Sequence, residues 1–597
     1  MDRETFWEKI SLIREAFVRY KKPMTYGFLT LIAVDLLETI PPLLLKHALD
    51  GIVANEPFYK LIQFAALYLA VALLQGACRY GWRIFLIRSS HKAGRDLRSN
   101  FVSHLFKLPA SFYDKNRVGD LIAHANGDVE SVRMFIGPGL LTLADAVFYI
   151  LIVPVVMFLL SPKLTLLALA PLPVIPFLVL YFENQIHARY KASQEHFSVL
   201  SAMAQENLGG IRVIKAFARE DKQLDRFRIL GENYIDLNMR LAKIQTAFGP
   251  WMDFFTSLGM VCLVWWGGKS VIEDAITLGT FVAFQRYIQK MVWPMIAIGF
   301  SLSHFQRAIA SSDRLKTIIR IEPEILNHPQ GPHVQSRGKV EVKNLNFSFN
   351  NTQNTPVLKN ISLTIEPGQR VAFVGGIASG KSSLLHLIPR LYPAPQKTIF
   401  IDGKAIEDWD LEELRAQIGF VSQDVFLFSD NVFDNVSFGL SQANSQTMNQ
   451  RVHDSTLIAQ VKTDIEGLTK GFNTQLGERG VNLSGGQKQR VSIARALAKN
   501  PKILILDDAL SAVDIKTETL LLDSLRKREG KNTELISAHR ISTIQDADLI
   551  YVLDKGSIIN QGTHAELLKN KNSIYYRFYE QQRLKEDLES YLQNLES

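Results

Sequence analysis

Long apolar runs recur through the first half of the chain, whereas charged and apolar positions are mixed throughout the second half. A helix needs about 20 mostly apolar residues to cross roughly 30 Å of hydrocarbon. Segments that meet this length lie at 24–48, 58–88, 137–160, 163–187, 245–272 and 277–305. Runs such as Leu140–Leu160 are too long and too apolar for the buried helices of a soluble protein. The pattern therefore predicts a six-helix membrane domain over residues 24–321.

The connections between these segments differ in length and charge. Those after the first, third and fifth spans are short, whereas those after the second and fourth have about 50 residues and many Lys and Arg. Cytoplasmic loops carry the excess of basic residues, so we expect both long loops, the N-terminus and the C-terminal half in the cytosol. Both long loops keep a helical period and are interpreted as cytosolic extensions of spans two to five. Residues 1–23, amphipathic over Phe6–Tyr20, are predicted to lie along the inner leaflet as an interfacial helix.

Composition narrows the class further. The 597 residues carry a formal charge of +8, which the basic loops beside the spans explain better than nucleic acid does, so no nucleic-acid partner is expected. The only cysteines, Cys78 and Cys262, lie in apolar stretches and imply no disulfide framework. The charged opening Asp2–Lys22 is unlike a removable signal peptide. A multi-pass protein of the cytoplasmic (inner) membrane is predicted, with the lipid bilayer as a partner.

Ionisable residues also occur inside the predicted spans. They are Asp35, Glu38, Arg79, Arg83, Asp145, Asp253, Arg286 and Lys290. Charges in hydrocarbon are costly, so these side chains should face the bundle interior or a wet cavity. Two interpretations stay open: a substrate-translocation surface, with Asp35 and Glu38 attracting a cationic substrate, or internal ion pairing and snorkelling.

The second half, residues 339–580, follows a linker at 322–338 and has the pattern of an α/β domain. A predicted buried strand, Arg370–Val374, leads into Gly375-Gly376-Ile377-Ala378-Ser379-Gly380-Lys381-Ser382, and a helix is expected over Ser383–Arg390. This sequence fits the G-x-x-x-x-G-K-[ST] phosphate loop, whose backbone N–H groups surround phosphate oxygens. Lys381 is expected to neutralise the β- and γ-phosphates, and Ser382 to coordinate Mg²⁺.

A second element combines an apolar strand with two acids. Ile503–Leu506 is followed by Asp507 and Asp508, and ligands bind at the ends of strands in such folds. Asp507 is predicted to hold Mg²⁺, and Asp508 to face the attacking water. The expected cofactors are ATP and Mg²⁺.

Leu483-Ser484-Gly485-Gly486-Gln487 resembles the signature sequence of ATP-binding cassette (ABC) proteins. The resemblance extends over nearly the whole chain, because Phe112–Asp120 and Gly210–Phe217 look like the intracellular loops of the exporter branch. It implies an α-helical six-span transmembrane domain followed by an α/β P-loop ABC ATPase domain. A membrane region before a cassette in one chain implies an exporter half-transporter.

The resemblance assigns further roles. Phe349 matches the aromatic residue that stacks on adenine, Gln423 the glutamine that joins Mg²⁺ and water, and His539 the histidine that contacts the γ-phosphate. Glu478 matches the exporter-specific loop, and Ser511–Asp514 matches the loop that crosses the dimer interface. The candidate catalytic residues are therefore Asp508, His539 and Gln423, and the candidate Mg²⁺ ligands are Ser382, Gln423 and Asp507. The candidate ATP-binding residues are Phe349, Gly375, Gly376, Ala378, Ser379, Gly380, Lys381, Ser382, Ser383, Ser484, Gly485, Gly486 and Gln487.

In this family ATP lies between the phosphate loop of one subunit and the signature of another, so the resemblance implies a dimer. Asp508 departs from the glutamate usual at its position, and a carboxylate displaced by roughly 1–1.5 Å can cost on the order of 100-fold in rate. This departure, with His539 and the signature intact, resembles heterodimeric exporters in which one site is degenerate. A homodimeric lipid flippase and an ATP-gated channel or regulatory subunit are the alternatives.

Ala378 is a second departure, from glycine, and would be strained by about 1–2 kcal/mol if its φ is positive. The expected cargo is a hydrophobic or amphipathic small molecule, but related pumps move drugs, lipids or peptides, and the cassette does not choose among them. The tail 581–597 is predicted to be a charged, solvated helix.

Overall fold

The structure is a computed structural model that describes residues 10–327, 336–349, 356–440, 444–527 and 532–584. Contacts divide the chain into two compact units: Met1–Phe106 with Arg117–Ile321, and Lys107–Asn116 with Glu322–Ser597. Residues 585–597 of the predicted C-terminal helix, residues 1–9 of the predicted interfacial helix and residues 328–335 of the linker lie outside the described ranges.

The first unit is built from long helices. A short amphipathic helix, Ser11–Arg19, precedes them. Helical segments long and apolar enough to cross a membrane are Lys21–Val53, Phe58–Leu105, Val118–Leu160, Pro162–Gly209 and Glu220–Ile272. Segments of up to 53 residues reach about 80 Å at 1.5 Å per residue, well beyond the hydrocarbon. The expectation that the two long loops continue the spans as helices is therefore confirmed.

The sixth predicted span, 277–305, lies in the helix Leu278–Ile319. Its apolar part is interrupted by Gln285, Arg286, Gln289 and Lys290, and by length and composition it does not join the five helices above. It instead carries a long buried face that includes Phe284, Tyr287 and Ile288, all 0% exposed. Packing against neighbouring helices, rather than overall hydropathy, holds this helix.

The first membrane helix is broken at Thr39, between Lys21–Glu38 and Ile40–Val53. Pro41 and Pro42 follow the break, and proline has no N–H to donate to the preceding turn. Side chains of the helix Leu278–Ile319 bond to carbonyl groups at this point: Tyr287 Oη donates to Thr39 O at 2.6 Å, and Lys290 Nζ donates to Glu38 O at 3.1 Å. Polar groups freed at a break in a membrane helix need such partners.

Small residues allow the helices to approach. At Gly279, the first turn of Leu278–Ile319 lies so close to the first membrane helix that an added Cβ would clash with Lys46 O. Asp50 accepts hydrogen bonds there from Gly279 N at 3.0 Å and from Thr277 Oγ1 at 3.0 Å. These hydrogen bonds join the C-terminal part of the first membrane helix to the start of Leu278–Ile319.

The second unit contains two sheets. The strands are β1 Val340–Phe347, β2 Leu358–Ile365, β3 Arg370–Gly375, β4 Ile399–Ile401, β5 Lys404–Ala405, β6 Ile418–Val421, β7 Ile503–Asp507, β8 Thr533–Ser537, β9 Leu549–Asp554 and β10 Ser557–Gly562. An antiparallel sheet has the order β2-β1-β4-β5, and a six-stranded sheet has the order β10-β9-β3-β8-β7-β6. In the larger sheet β6, β7, β8, β3 and β9 are parallel, and β10 pairs antiparallel with β9.

Both faces of the parallel sheet are covered, which explains why its strands have continuous apolar runs. Along β7, Leu504 and Leu506 enter one core cluster while Ile503 and Ile505 enter the other. The α-helices that surround the sheets are Lys381–Leu387, Leu411–Gln417, Val432–Ser437, Ser445–Ile458, Lys462–Glu466, Gly485–Ala498, Ile515–Arg526, Ile541–Ile544 and His564–Leu568. The predicted order, a helical membrane domain followed by an α/β ATPase domain, is confirmed.

Candidate nucleotide-binding site

Three neighbouring parallel strands end at one edge of the larger sheet. β3 ends at Gly375, β7 at Asp507 and β8 at Ser537, and β8 lies between the other two. The carboxyl ends of parallel strands are where such folds bind ligands. The two motifs predicted from sequence, though far apart in the chain, therefore meet at this edge.

The phosphate loop leaves β3 and enters the helix Lys381–Leu387, slightly earlier than the predicted Ser383–Arg390. Gly380 has φ +100°, and an added Cβ would stand 2.6 Å from Leu358 Cδ2. At Gly375 an added Cβ would clash with Leu553 O. Only glycine fits these two positions, because one needs left-handed backbone and the other a close backbone approach.

Ala378 has φ +61°, so it adopts the positive φ on which the predicted strain depends. The left-handed region costs a non-glycine residue roughly 1–2 kcal/mol. The neighbouring Ser379 is buried and its carbonyl accepts from Gly556 N at 3.2 Å. This hydrogen bond from Gly556 helps to hold the loop in a backbone conformation that alanine does not favour.

Lys381 is buried and its ammonium lies on its own loop. Nζ donates to Gly375 O at 2.8 Å, to Gly376 O at 3.0 Å and to Ser379 Oγ at 3.3 Å. Burial lowers the pKa of this amine, while the negative charges of Asp507 and Asp508 act to raise it. The ammonium charge of Lys381 therefore lies at the turn of the phosphate loop, near the carboxyl groups of Asp507 and Asp508.

The two strand-end motifs contact each other through proposed metal ligands. Ser382 Oγ donates to Asp507 Oδ1 at 2.9 Å. Asp507 is 1% exposed, and its Oδ2 has no hydrogen-bond partner among the described residues. A buried carboxylate oxygen that accepts no hydrogen bond, beside a hydroxyl, belongs to the hard oxygen ligands that Mg²⁺ prefers, with water and phosphate oxygens completing the set. These residues fit the ion.

Asp508 follows in the left-handed conformation, with φ +49°. Its backbone N donates to Ser537 O at 2.9 Å, and Gln423 Nε2 lies 3.4 Å from its Oδ2. Burial raises the pKa of this half-buried carboxyl, and the charge of Asp507 adds to that effect. His539, Lys381 and Gln423 oppose the rise. His539 and Asp508 line one cavity of about 200 Å³.

The signature residues form a separate feature. Ser484 caps the helix Gly485–Ala498 with a reciprocal pair: Gln487 N donates to Ser484 Oγ at 3.3 Å, and Ser484 N donates to Gln487 Oε1 at 3.0 Å. Within the described ranges, no hydrogen bond or ion pair joins these residues to the phosphate loop of the same chain. The helix therefore begins at an exposed, fully capped turn that is separate from the phosphate loop of its own chain.

Two residues that the sequence did not single out hold the loop Ser511–Asp514. Buried Gln489 donates to Ser511 Oγ at 3.1 Å and accepts from Ala512 N at 2.9 Å. Arg540 donates to Ser511 O at 3.1 Å and to Val513 O at 2.9 Å. The loop is fixed between the signature helix and the residue after His539. Arg540 adjoins a predicted site residue, which is the one sequence signal that points to it.

Phe349 lies in an aromatic cluster. Its ring meets Tyr392 edge-on at 5.2 Å, and Tyr392 stacks on His386 at 6.0 Å with an interplanar angle of 9°. His386 Nε2 in turn lies 3.4 Å from Asp507 Oδ2. Tyr392 and His386 carry no sequence motif, so only the tertiary contacts identify them.

Most of the predicted site residues meet in the structure, and the signature does not join them. The residues gathered at one sheet edge are those of the phosphate loop (Gly375, Gly376, Ala378, Ser379, Gly380, Lys381, Ser382 and Ser383), together with Gln423, Asp507, Asp508 and His539. The signature set, Ser484 to Gln487, lies apart from this group as the start of another helix. One chain can therefore bind the phosphates and metal of a nucleotide at the sheet edge. The exposed start of the helix Gly485–Ala498 lies elsewhere on the same chain.

Comparisons with known proteins agree with this division. Residues 24–295 match the family model described as "ABC transporter transmembrane region", and residues 358–511 match the model described as "ABC transporter". Among solved structures, "Structure of a bacterial Atm1-family ABC exporter with ATP bound" matches with a TM-score of 0.76 and 25% identity. That match covers 94% of this chain and 99% of the other.

Curated relatives match along nearly their whole length. The probable multidrug resistance ABC transporter ATP-binding/permease protein YheI of Bacillus subtilis is 34% identical, over 95% of this chain and 96% of the relative. The multidrug resistance-like ATP-binding protein MdlA of Escherichia coli is 35% identical, over 95% of each. An ATP-dependent lipid A-core flippase of Syntrophus aciditrophicus is 32% identical, over 91% of this chain and 89% of the relative.

Proposed function

Because this chain belongs to the ABC transporters, as an exporter half-transporter of the multidrug-resistance-like kind, we propose that it joins a different half-transporter and contributes the slower of two ATP sites. It is an ABC ATPase coupled to transport and a multi-pass membrane protein. The cargo is a hydrophobic or amphipathic compound, a drug or a lipid, moved out of the cytoplasm or the inner leaflet. Both termini face the cytosol, since the long basic loops adjoin the same membrane side.

The position of Asp508 carries the proposal. Its Cα is fixed by the left-handed φ of +49° and by the bond from its N–H to Ser537 O. A backbone held in this way has little freedom to offset a side chain one methylene shorter than glutamate. A carboxylate that falls about 1 Å short of an attacking water can slow hydrolysis on the order of 100-fold.

The remaining residues support nucleotide binding rather than rapid turnover. Lys381 and the loop N–H groups neutralise the β- and γ-phosphates, and Phe349 supports the adenine ring. Ser382, Asp507 and Gln423 would hold Mg²⁺, which when bound screens the charge that develops on the γ-phosphate. Gln423 and His539 then orient the water and the γ-phosphate beside Asp508.

The signature favours a partner. Ser484 keeps a complete capping pair with Gln487, so the helix start is ready to bind the phosphates of a nucleotide held by another subunit. The helix Ile211–Ala216 has no buried residue, and Val213 and Phe217 are 62% and 72% exposed. Apolar side chains left in water on a cytosolic helix need a covering surface, which a second subunit would supply.

A homodimeric lipid flippase is the second candidate, and the similarity to a relative named as a lipid A-core flippase favours it. The two candidates differ in the ATPase rate of the chain alone. A heterodimer subunit is nearly silent without its partner, whereas a homodimer turns over by itself.

The experiment starts from the tagged full chain purified in mild detergent from its own membrane, with co-purified half-transporters identified by mass spectrometry. ATPase rates are then measured in lipid nanodiscs for the chain alone and for the reconstituted pair. We expect the pair to exceed the chain alone by at least tenfold, with the partner carrying glutamate after its strand-end aspartate. Brisk turnover by the chain alone, unchanged by any co-purified partner, contradicts the heterodimer and supports the flippase-like homodimer.

A further inference from the structure

Ionisable side chains from four helices meet at the break in the first membrane helix. Asp35 and Glu38 precede the break, Arg79 comes from Phe58–Leu105, Asp145 from Val118–Leu160 and Lys290 from Leu278–Ile319. Ionisable groups are rare inside membranes, and breaks in membrane helices are where transporters place ion sites. The cluster is therefore a candidate functional site inside the membrane unit.

Glu38 engages both cations. It forms an ion pair with Arg79, and its Oε2 lies 3.3 Å from Lys290 Nζ. Tyr149 Oη also donates to Glu38 Oε2 at 2.9 Å. The interpretation of Glu38 as a free anion that attracts a cationic substrate is therefore not supported, because this carboxylate is neutralised within the chain.

Asp35 has a different environment. It is 1% exposed, and its Oδ2 has no hydrogen-bond partner among the described residues. Asp35 forms a side-chain hydrogen bond with another carboxyl group, that of Asp145 on Val118–Leu160. Two ionised carboxylates in such contact repel each other, and neither can donate, so one of them holds a proton when they bond.

The charge balance of the cluster leads to the same result. Three carboxyl groups, those of Asp35, Glu38 and Asp145, face two cations, Arg79 and Lys290. Tyr149 also faces the group, as a neutral hydrogen-bond donor. One negative charge is left over, and an isolated charge in a low-dielectric interior is strongly disfavoured.

We propose that Asp35 and Asp145 bind one proton between them and form a protonation site inside the membrane unit of this exporter. The proton is held on one carboxyl oxygen and donated to the other. A movement of the broken first helix that separates Asp35 from Asp145 would ionise the pair and release the proton to water. The site does not depend on whether the chain works as a heterodimer or a homodimer.

The test is infrared spectroscopy of the full chain in lipid nanodiscs at neutral pH, in water and in deuterium oxide. We expect a C=O band of a protonated carboxyl group that shifts to lower frequency in deuterium oxide. Asp35→Asn and Asp145→Asn should each remove the band, because each leaves two carboxylates facing two cations. Asp253→Asn, which removes an exposed acid from another predicted span, is the matched control and should keep the band.

The spectrum of the wild-type protein alone shows whether a protonated carboxyl group is present, so this part of the test does not depend on the folding of any variant. Absence of a protonated-carboxyl band in the wild type at neutral pH would overturn the proposal. So would a band that survives either single substitution in protein that still binds nucleotide, since the proton would then belong to another group. Loss of the band in Asp253→Asn would also contradict the assignment to this pair.

Discussion

The Tyr392 hydroxyl donates a hydrogen bond to Asp114 Oδ2 at 2.8 Å, across 278 residues of sequence. Asp114 lies in Lys107–Asn116, a segment that leaves the second predicted span yet packs with the ATPase unit. The Tyr392 ring also stacks on His386, whose Nε2 lies 3.4 Å from Asp507 Oδ2. A short path of direct contacts within this unit therefore joins the segment after the second span to a proposed metal ligand.

Tyr392→Phe removes the hydroxyl but keeps the ring on His386. We expect nucleotide affinity to stay within about twofold of wild type, since the stacking remains, and stimulation of ATPase by transported drug to fall severalfold. A hydrogen bond to a charged acceptor is worth about 1.5–3 kcal/mol. Drug-stimulated ATPase in nanodiscs measures this, with Tyr576→Phe as the control. Equal stimulation in Tyr392→Phe and wild type would show that this bond does not couple drug binding to hydrolysis.

Asp508→Glu should restore reach toward the attacking water. In the presence of the partner half-transporter, we expect hydrolysis at this site to rise by up to about 100-fold, measured as single-site turnover with the partner's own site inactivated. Asp523→Glu, on an exposed helix position, adds the same methylene and should change nothing. If Asp508→Glu leaves the rate unchanged, aspartate already positions water adequately.

Substitutions at Ala378 test its left-handed backbone. Valine is β-branched and poorly tolerated at φ +61°, so Ala378→Val should weaken ATP binding by about tenfold, or about 1.4 kcal/mol. Ala378→Gly relieves the strain and should bind at least as tightly as wild type. Ile377→Val, at a side chain that is 95% exposed, is the control. Titration with a fluorescent ATP analogue provides the affinities, and equal values for Ala378→Val and wild type would contradict the strain.

Gln489→Ala should loosen the loop Ser511–Asp514. The variant removes bonds to Ser511 Oγ and Ala512 N, and each such bond contributes about 0.5–1.5 kcal/mol to stability. We expect a lower melting temperature of the ATPase unit in calorimetry and reduced cooperativity between the two ATP sites. Gln446→Ala, at an exposed helix position, removes the same amide and is the control. Unchanged cooperativity in Gln489→Ala would indicate that the bonds from Arg540 alone are enough to hold this loop.

Much of the fold could be predicted from the sequence, because its signals are local. Apolar runs of more than about 20 residues predict membrane helices wherever the chain later packs. The phosphate loop and the pair Asp507–Asp508 each follow a buried strand, and β3 and β7 are observed where those strands were expected. The sixth helix, Leu278–Ile319, has a weaker local signal, since Arg286 and Lys290 interrupt its apolar pattern.

Other features depended on the tertiary structure, because they join residues far apart in the chain or depend on backbone angles. The contact of Tyr392 with Asp114 spans 278 residues, and that of Tyr149 with Glu38 spans 111. The sequence placed Asp35 and Glu38 in the same predicted span but did not show which of them the nearby cations neutralise. The strain at Ala378 and the fixed Cα of Asp508 follow from positive φ angles that no residue type announces. Local patterns determined the elements and the motifs; long-range packing decided which side chains meet.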